Sequence, residues 1–197
     1  MHKFLIVGLG NPGKAYEGTR HNIGFALLRR LAEKHHLAFQ ERSKWESMIA
    51  EGVIDGSPLF LMMPMTFMNN SGQAVVPALK YLNVELAGLL VVVDDVAIPM
   101  GQLRLKLNSG SGGHNGLKSI EEHLQTNRFA RLRIGVGDRE EGDLSSHVLG
   151  RFSKEEGELL PVILERAIQS IEIWLNKGIT SAMDFTNRSP SNPSNGA

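Results

Sequence analysis

His21, Asp94 and Asn11 are the residues whose types and placement could do chemistry together. His21 lies in Thr19-Arg20-His21-Asn22, at the mouth of an amphipathic segment, and Asn11 lies in the turn after the apolar run from Phe4 to Leu9. Asp94 ends a second apolar run, Leu89 to Val93. Open α/β sheets place their sites at the carboxyl ends of their strands, so all three side chains can meet at one edge. A histidine near neutral pH can act as a base, and a carboxylate on its other ring nitrogen fixes the tautomer and stabilises the imidazolium. Taken singly, each residue also has a plain reading. His21 serves as a surface or capping residue, Asp94 and Asp95 begin the turn before Pro99 and Gly101, and Asn11 belongs to a structural turn.

Other chemistries lack their residues. The chain has no cysteine, which excludes disulfides, a thiolate nucleophile and cysteine-held metal. No serine sits in a G-x-S-x-G elbow, so water activated by His21 is the simpler nucleophile. His21, His35, His36, His114, His123 and His147 show no metalloprotease spacing, and no metal is expected.

The elements that must position these groups follow from periodicity. Phe4 to Leu9 is continuous and apolar, as in a central strand buried on both faces. Ile23, Ala26, Leu27, Leu31 and Ala32 fall at helical spacing between Asn22 and His36. Two strand-like runs, Ser47 to Ile54 and Leu59 to Met63, flank the turn Asp55-Gly56-Ser57-Pro58 and predict a hairpin. A helix is expected over residues 71–82, and further strands over 103–107 and 130–136. Ser153-Lys154-Glu155-Glu156 is a capping box opening a helix with a stripe of Leu159, Ile163, Ala167, Ile171 and Trp174 that runs to Gly178. Residues from Asn187 on are rich in Ser, Pro and Asn and read as a disordered tail.

Gly8-Leu9-Gly10-Asn11-Pro12-Gly13 formally matches the G-x-G-x-x-G dinucleotide fingerprint. That fingerprint needs a helix starting within the glycines and an acidic residue at the end of a second strand. Here Pro12-Gly13 and Gly18 oppose an early helix, and the region where the acidic residue belongs is amphipathic helix. A turn projecting Asn11 accounts better for the pattern.

Two segments face a substrate. Phe67, Met68 and Asn69 stand at a strand-to-helix junction, where an asparagine amide can donate to and accept from a peptide backbone of any sequence. Asn108 to Gly116 is a glycine-rich loop without the Gly-Lys-Ser/Thr of a P-loop. Arg104, Lys106, Lys118, Arg131 and Arg133 flank it as a basic patch or as a solvated face. A local patch is what nucleic-acid binding would require, because 21 Lys plus Arg balance 21 Asp plus Glu to a net charge of zero.

Together these motifs resemble the bacterial-type peptidyl-tRNA hydrolase family. The resemblance rests on Gly8-Leu9-Gly10-Asn11-Pro12-Gly13, Tyr16, Thr19-Arg20-His21-Asn22, Phe67-Met68-Asn69, Asp94 and Gly112-Gly113-His114-Asn115-Gly116-Leu117-Lys118, and it runs from about Lys3 to about Asn187. It implies a monomeric, single-domain α/β enzyme with a mixed β-sheet, helices on both faces and no cofactor. The implied reaction hydrolyses the ester of peptidyl-tRNA or N-blocked aminoacyl-tRNA and recycles tRNA from aborted translation. On matching positions, His21 is the implied general base, Asp94 its orienting partner and Asn11 the residue that distinguishes blocked from free amino groups. Tyr16, Phe67, Met68, Asn69 and Asn115 are implied substrate contacts, and Lys106 and Arg133 grip tRNA phosphate. The sequence departs from the family pattern at Ala97, where a second acidic residue is common, and at Asn70.

These readings predict a catalytic domain over residues 1–187 and a tail over 188–197. The short N-terminal apolar run is neither a signal peptide nor a membrane span, so a cytoplasmic protein without membrane contact is expected. A noncatalytic RNA-binding protein on the same scaffold is the alternative from another class.

Overall fold

The computed structural model describes residues 2–137 and 144–188. Seven strands form one mixed sheet: β1 Phe4–Gly8, β2 Gln40–Arg42, β3 Ser47–Ile54, β4 Ser57–Pro64, β5 Leu89–Asp95, β6 Leu103–Leu107 and β7 Ala130–Gly135. Their order is β2-β3-β4-β1-β5-β7-β6, so β1 is the middle strand. Strands β4, β1, β5 and β7 pair in parallel, while β2 and β3 at one side and β6 at the other run antiparallel to their neighbours. The continuous apolar runs became the parallel centre because helices cover both of its faces.

Alternate residues of each central strand enter different cores. Phe4, Ile6, Leu90 and Val92 pack with α1 (Ile23–Lys34) and α5 (Lys154–Thr186). Leu5, Val7, Leu89, Val91 and Val93 pack with α2 (Ser71–Tyr81) and α3 (Asn115–Leu124). A short helix, α4 (Leu144–Leu149), precedes α5. No helix among the described residues is long and apolar enough to cross a membrane.

Several expectations need correction. The stripe of α5 begins at Ile163, since Leu159 is 52% exposed, and Leu164, Ile168 and Leu175 join the packed face. The helical backbone does break at Gly178, as expected, since its φ of 81° and ψ of 175° are not helical, but a second helical segment follows directly, with Ala182 and Thr186 buried. Strand β2 escaped the sequence reading because its three residues are exposed and polar, leaving no alternation to detect.

Arg131 belongs to no surface patch. It is completely buried, on the face of β7 where α3 and the segment leading into the strand enclose its side chain. Its guanidinium donates to Glu121 at 2.7 Å and to the carbonyls of Asn127 and Phe129 at 3.1 Å.

Asn187 is not loose tail either. Its side-chain oxygen accepts from Leu105 N–H at 2.8 Å and its Nδ2 donates to Leu105 O at 3.0 Å, closing part of the open edge of β6. Asn187→Ala is expected to lower unfolding free energy by about 1–2 kcal/mol, read by urea denaturation. The tail expected beyond Arg188 lies outside the described residues.

Candidate functional site

The site is assembled at the carboxyl edge of β4, β1 and β5. Glycines make the close approach possible: a Cβ on Gly8 would lie 2.3 Å from Gly24 O, and one on Gly24 would lie 2.6 Å from Leu9 N and O. The start of α1 therefore sits directly on the ends of β1 and β5, with the 3-10 turn Arg20–Asn22 above them. Only a single 3-10 turn, Lys14–Tyr16, intervenes before that point. Of the glycines that imitate a dinucleotide fingerprint, Gly8 and Gly10 serve packing between strand and helix, a Cβ on Gly10 lying 2.8 Å from the Phe25 ring, whereas Gly13 takes a φ of 103° in open space.

Asn22 stitches the two turns together. Its Oδ1 accepts from Asn11 N–H at 2.8 Å and its Nδ2 donates to Asn11 O at 2.9 Å. Asn11 in turn accepts through Oδ1 from Met68 N–H at 2.8 Å. That bond settles the orientation of the Asn11 amide, because only its oxygen can accept. Its Nδ2 is left without a protein partner among the described residues, at the wall of a cavity of about 620 Å³.

His21 Nδ1 lies 2.8 Å from Asp94 Oδ1, and His114 Nε2 lies 3.0 Å from the same oxygen. His114 Nδ1 also accepts a long bond of 3.4 Å from Leu117 N–H at the start of α3, which leaves the His114 proton on Nε2. Both rings therefore donate to Asp94, and Nε2 of His21 keeps its lone pair for the cavity. Burial alone would raise the Asp94 carboxyl, but the electrostatic attraction and hydrogen bond of His114, followed by those of His21, outweigh it and hold it well below the usual carboxylate range. One nitrogen from each ring and one Asp94 oxygen lie within 4.8 Å of one another. The His114 proton occupies the ground a metal ligand would need free, so hydrogen bonding accounts for the cluster.

Of the residues singled out from sequence, Asn11, His21, Phe67, Met68, Asn69 and Asp94 line this one cavity. Asn115 and Arg133 do so as well. Tyr16 joins indirectly, its ring edge-on to Phe67 at 6.4 Å. Lys106 is exposed on β6 and outside the cavity lining. Arg133 is largely buried, donating to Asp95 at 3.1 Å and to Gly110 O at 2.7 Å, so it shapes the glycine-rich loop as well as the cavity. At the departure Ala97, the backbone N–H donates to Asp95 Oδ1 at 2.9 Å, and Asp95 holds that loop.

His114 is the participant that the sequence reading missed. A histidine beside two glycines, just before α3, was the available signal, but its partner is 20 residues away on β5. A larger, more open groove of about 1110 Å³ runs along α5, with Arg30, Arg166 and Phe185 among its walls, and holds none of the site residues.

Asn11→Asp offers a clean test of the amide. An aspartate keeps the acceptor for Met68 N–H and replaces the free donor with an anionic acceptor. Its unfolding midpoint is expected to stay near that of the parent, while kcat/KM for an ester substrate falls by about 10²-fold, a loss on the scale of removing one preorganised donor.

Comparison with known proteins agrees with this architecture. The family model described as peptidyl-tRNA hydrolase matches residues 5–194. A peptidyl-tRNA hydrolase of Gloeobacter violaceus is 44% identical over 93% of both chains. One from Limosilactobacillus reuteri is 45% identical over 87% of this chain and 92% of its own. The crystal structure of peptidyl-tRNA hydrolase from Acinetobacter baumannii superposes with a TM-score of 0.89 at 37% identity, covering 93% of this chain and 94% of that one. An Arabidopsis thaliana 5′-methylthioadenosine nucleosidase, at 10% identity and a TM-score of 0.50, shares the fold alone. With the match running almost end to end and over the whole His21, Asp94 and Asn11 cleft, the chain belongs to the peptidyl-tRNA hydrolase family.

Proposed function

We propose that this chain hydrolyses the ester between a peptide, or an N-blocked amino acid, and the 3′ end of tRNA, releasing tRNA from prematurely dropped peptidyl-tRNA. The observation that carries the mechanism is the bond from His21 Nδ1 to buried Asp94, which turns Nε2 of the same ring to the cavity. A noncatalytic RNA-binding role is not favoured, since binding RNA gives no use to a histidine oriented in this way.

His21 Nε2 takes a proton from water as the water oxygen attacks the ester carbonyl. Asp94 stabilises the imidazolium that forms. Collapse of the tetrahedral intermediate breaks the bond to the ribose oxygen, which takes the proton from His21. The products are a tRNA 3′-hydroxyl and a carboxylic acid, which releases the second proton of the water to solvent as it ionises. His114, on the same Asp94 oxygen, holds that carboxylate in place.

Asn11 Nδ2 donates to the carbonyl of the group that blocks the amino end. A free α-ammonium offers no acceptor there and sets donor against donor, which gives discrimination a physical basis. Phe67, Met68 and Asn69, with Tyr16 behind Phe67, line the path of the peptide, and Asn115 faces it across the cavity. Lys106 and Arg133 hold tRNA phosphate. Residues 1–187 constitute the catalytic domain and 188–197 a tail, and the protein acts as a cytoplasmic monomer without a cofactor.

The test is release of N-acetyl amino acid from N-acetyl-aminoacyl-tRNA, with a chelator present and unblocked aminoacyl-tRNA alongside. Rapid release from the blocked substrate alone is expected. Binding of tRNA without release would return the protein to the RNA-binding class.

A further inference from the structure

Arg20 precedes His21 and has no part in the steps above, yet it joins three segments around the cleft. Its backbone N–H donates to Gly150 O at 3.0 Å, and Thr19 forms an isolated bridge with Arg151. Its Nη1 donates to Arg151 O at 2.7 Å, and its Nη2 reaches Glu156 Oε2 at 2.6 Å. The same Glu156 oxygen accepts from Ser153 N–H at 2.7 Å, closing the capping box of α5. The guanidinium also lies over Phe152, 5.4 Å from its ring centre. The turn carrying His21, the link between α4 and α5, and the first turn of α5 are thus tied by one side chain.

What α4 contributes to the cleft gives this tie its meaning. Val148 and Leu149, its last residues, line the cavity that contains His21. Leu149 is 40% exposed, so little core packing holds it there. By contrast α5 is anchored independently, with Ile163, Ala167, Ile168, Ile171 and Trp174 in the core shared with α1. The Arg20 and Glu156 side chains are 13% and 24% exposed, which shields their ion pair more than an open surface pair. A planar fork can serve a carbonyl and a carboxylate in fixed directions, whereas the point charge of lysine cannot.

We propose that Arg20, through Glu156 and the carbonyl of Arg151, is a positioning residue for the hydrolysis: it sets the Val148 and Leu149 wall against the cavity so that the acyl part of the substrate is held opposite His21. The proposal rests on the hydrolase reading given above. Its effect falls on substrate binding rather than on the proton transfer, because Arg20 touches neither His21 Nε2 nor Asp94.

The experiment uses the full chain with Arg20→Gln, Arg20→Lys, Glu156→Gln and the Arg20→Gln/Glu156→Gln pair. Steady-state hydrolysis of N-acetyl-aminoacyl-tRNA is measured together with hydrogen exchange of the α4 amides. Gln at 156 keeps an acceptor for Ser153 N–H, so helix capping survives while the ion pair is lost. Arg20→Gln and Glu156→Gln are each expected to raise KM about tenfold, the scale of a charge-assisted hydrogen bond, with kcat within about threefold of the parent. The double variant should be no worse than the worse single one, Arg20→Lys should recover part of the loss, and α4 protection should fall. Unchanged KM in folded variants, additive effects, or unchanged α4 exchange would overturn the proposal. Absence of hydrolysis by the parent chain would instead remove the hydrolase reading and this proposal with it, whatever the exchange result.

Discussion

His21→Ala is expected to lower kcat by about 10²- to 10⁴-fold, the range of a lost general base, while affinity for tRNA changes little. The reason lies in what His21 touches. Among the described residues its ring's one hydrogen bond is to Asp94, and its Nε2 faces the cavity among Asn11, Met68 and His114, so tRNA phosphate loses no contact when the ring is removed. Single-turnover cleavage of N-acetyl-aminoacyl-tRNA beside a filter-binding titration separates the two quantities. A parallel loss of affinity and turnover would make His21 a binding or structural group. His114 cannot take over the base role, because its Nδ1 is spent on Leu117 N–H and its Nε2 on Asp94.

Asp94→Asn should cost nearly as much, about 10²- to 10⁴-fold in kcat, for a different reason. An amide oxygen can still accept from both rings, so the fold of the cleft can persist. The charge that stabilises the imidazolium is gone, and the competing amide NH₂ no longer enforces one tautomer of His21. The substitution also has a pH signature. Burial pushes the Asp94 carboxyl upward, but His114 and His21 more than offset this, so its native value lies below its unfolded one. A depressed carboxylate contributes stability that is in place above the unfolded value of about 3.9 and is lost as pH falls through the lower native value. The stability gap between parent and Asp94→Asn in urea titrations should therefore be open near neutrality and close in strong acid. A gap that widened on acidification would contradict the assignment.

The central strands were legible because burial on two faces leaves an unbroken apolar run, as in β1 and β5, and the β3 and β4 hairpin because Asp55-Gly56 takes positive φ at both positions. The placing of Asn11 and Asp94 just beyond or at the ends of neighbouring parallel strands followed from the same pattern. What remained hidden depends on closure between distant segments. His114 reaches Asp94 only because the glycine-rich loop folds back over β5, and Asn22 was read as part of a motif when its work is to bind both backbone groups of Asn11. Arg131 misled because the alternation Arg-Leu-Arg in β7 looks like a solvated face, and only α3 and the glycine-rich loop, with Arg131 on Glu121 and Arg133 on Asp95 and Gly110 O, make both arginines internal. Asn187 escaped for the opposite reason, a polar residue in a polar run whose amide happens to complete the β6 edge.

Hydrolysis in heavy-oxygen water tests directly whether water is the nucleophile in a cleft where His21 is the base. Purified chain with a chelator present would be given N-acetyl-aminoacyl-tRNA for a single turnover, and the released acid, the tRNA and the protein would be weighed by mass spectrometry. The predicted result is label in the carboxylate of the N-acetyl amino acid, none in the tRNA 3′-hydroxyl and no acylated protein. An acyl group on the chain, with Asp94 as its natural carrier, or label appearing in the tRNA, would contradict it.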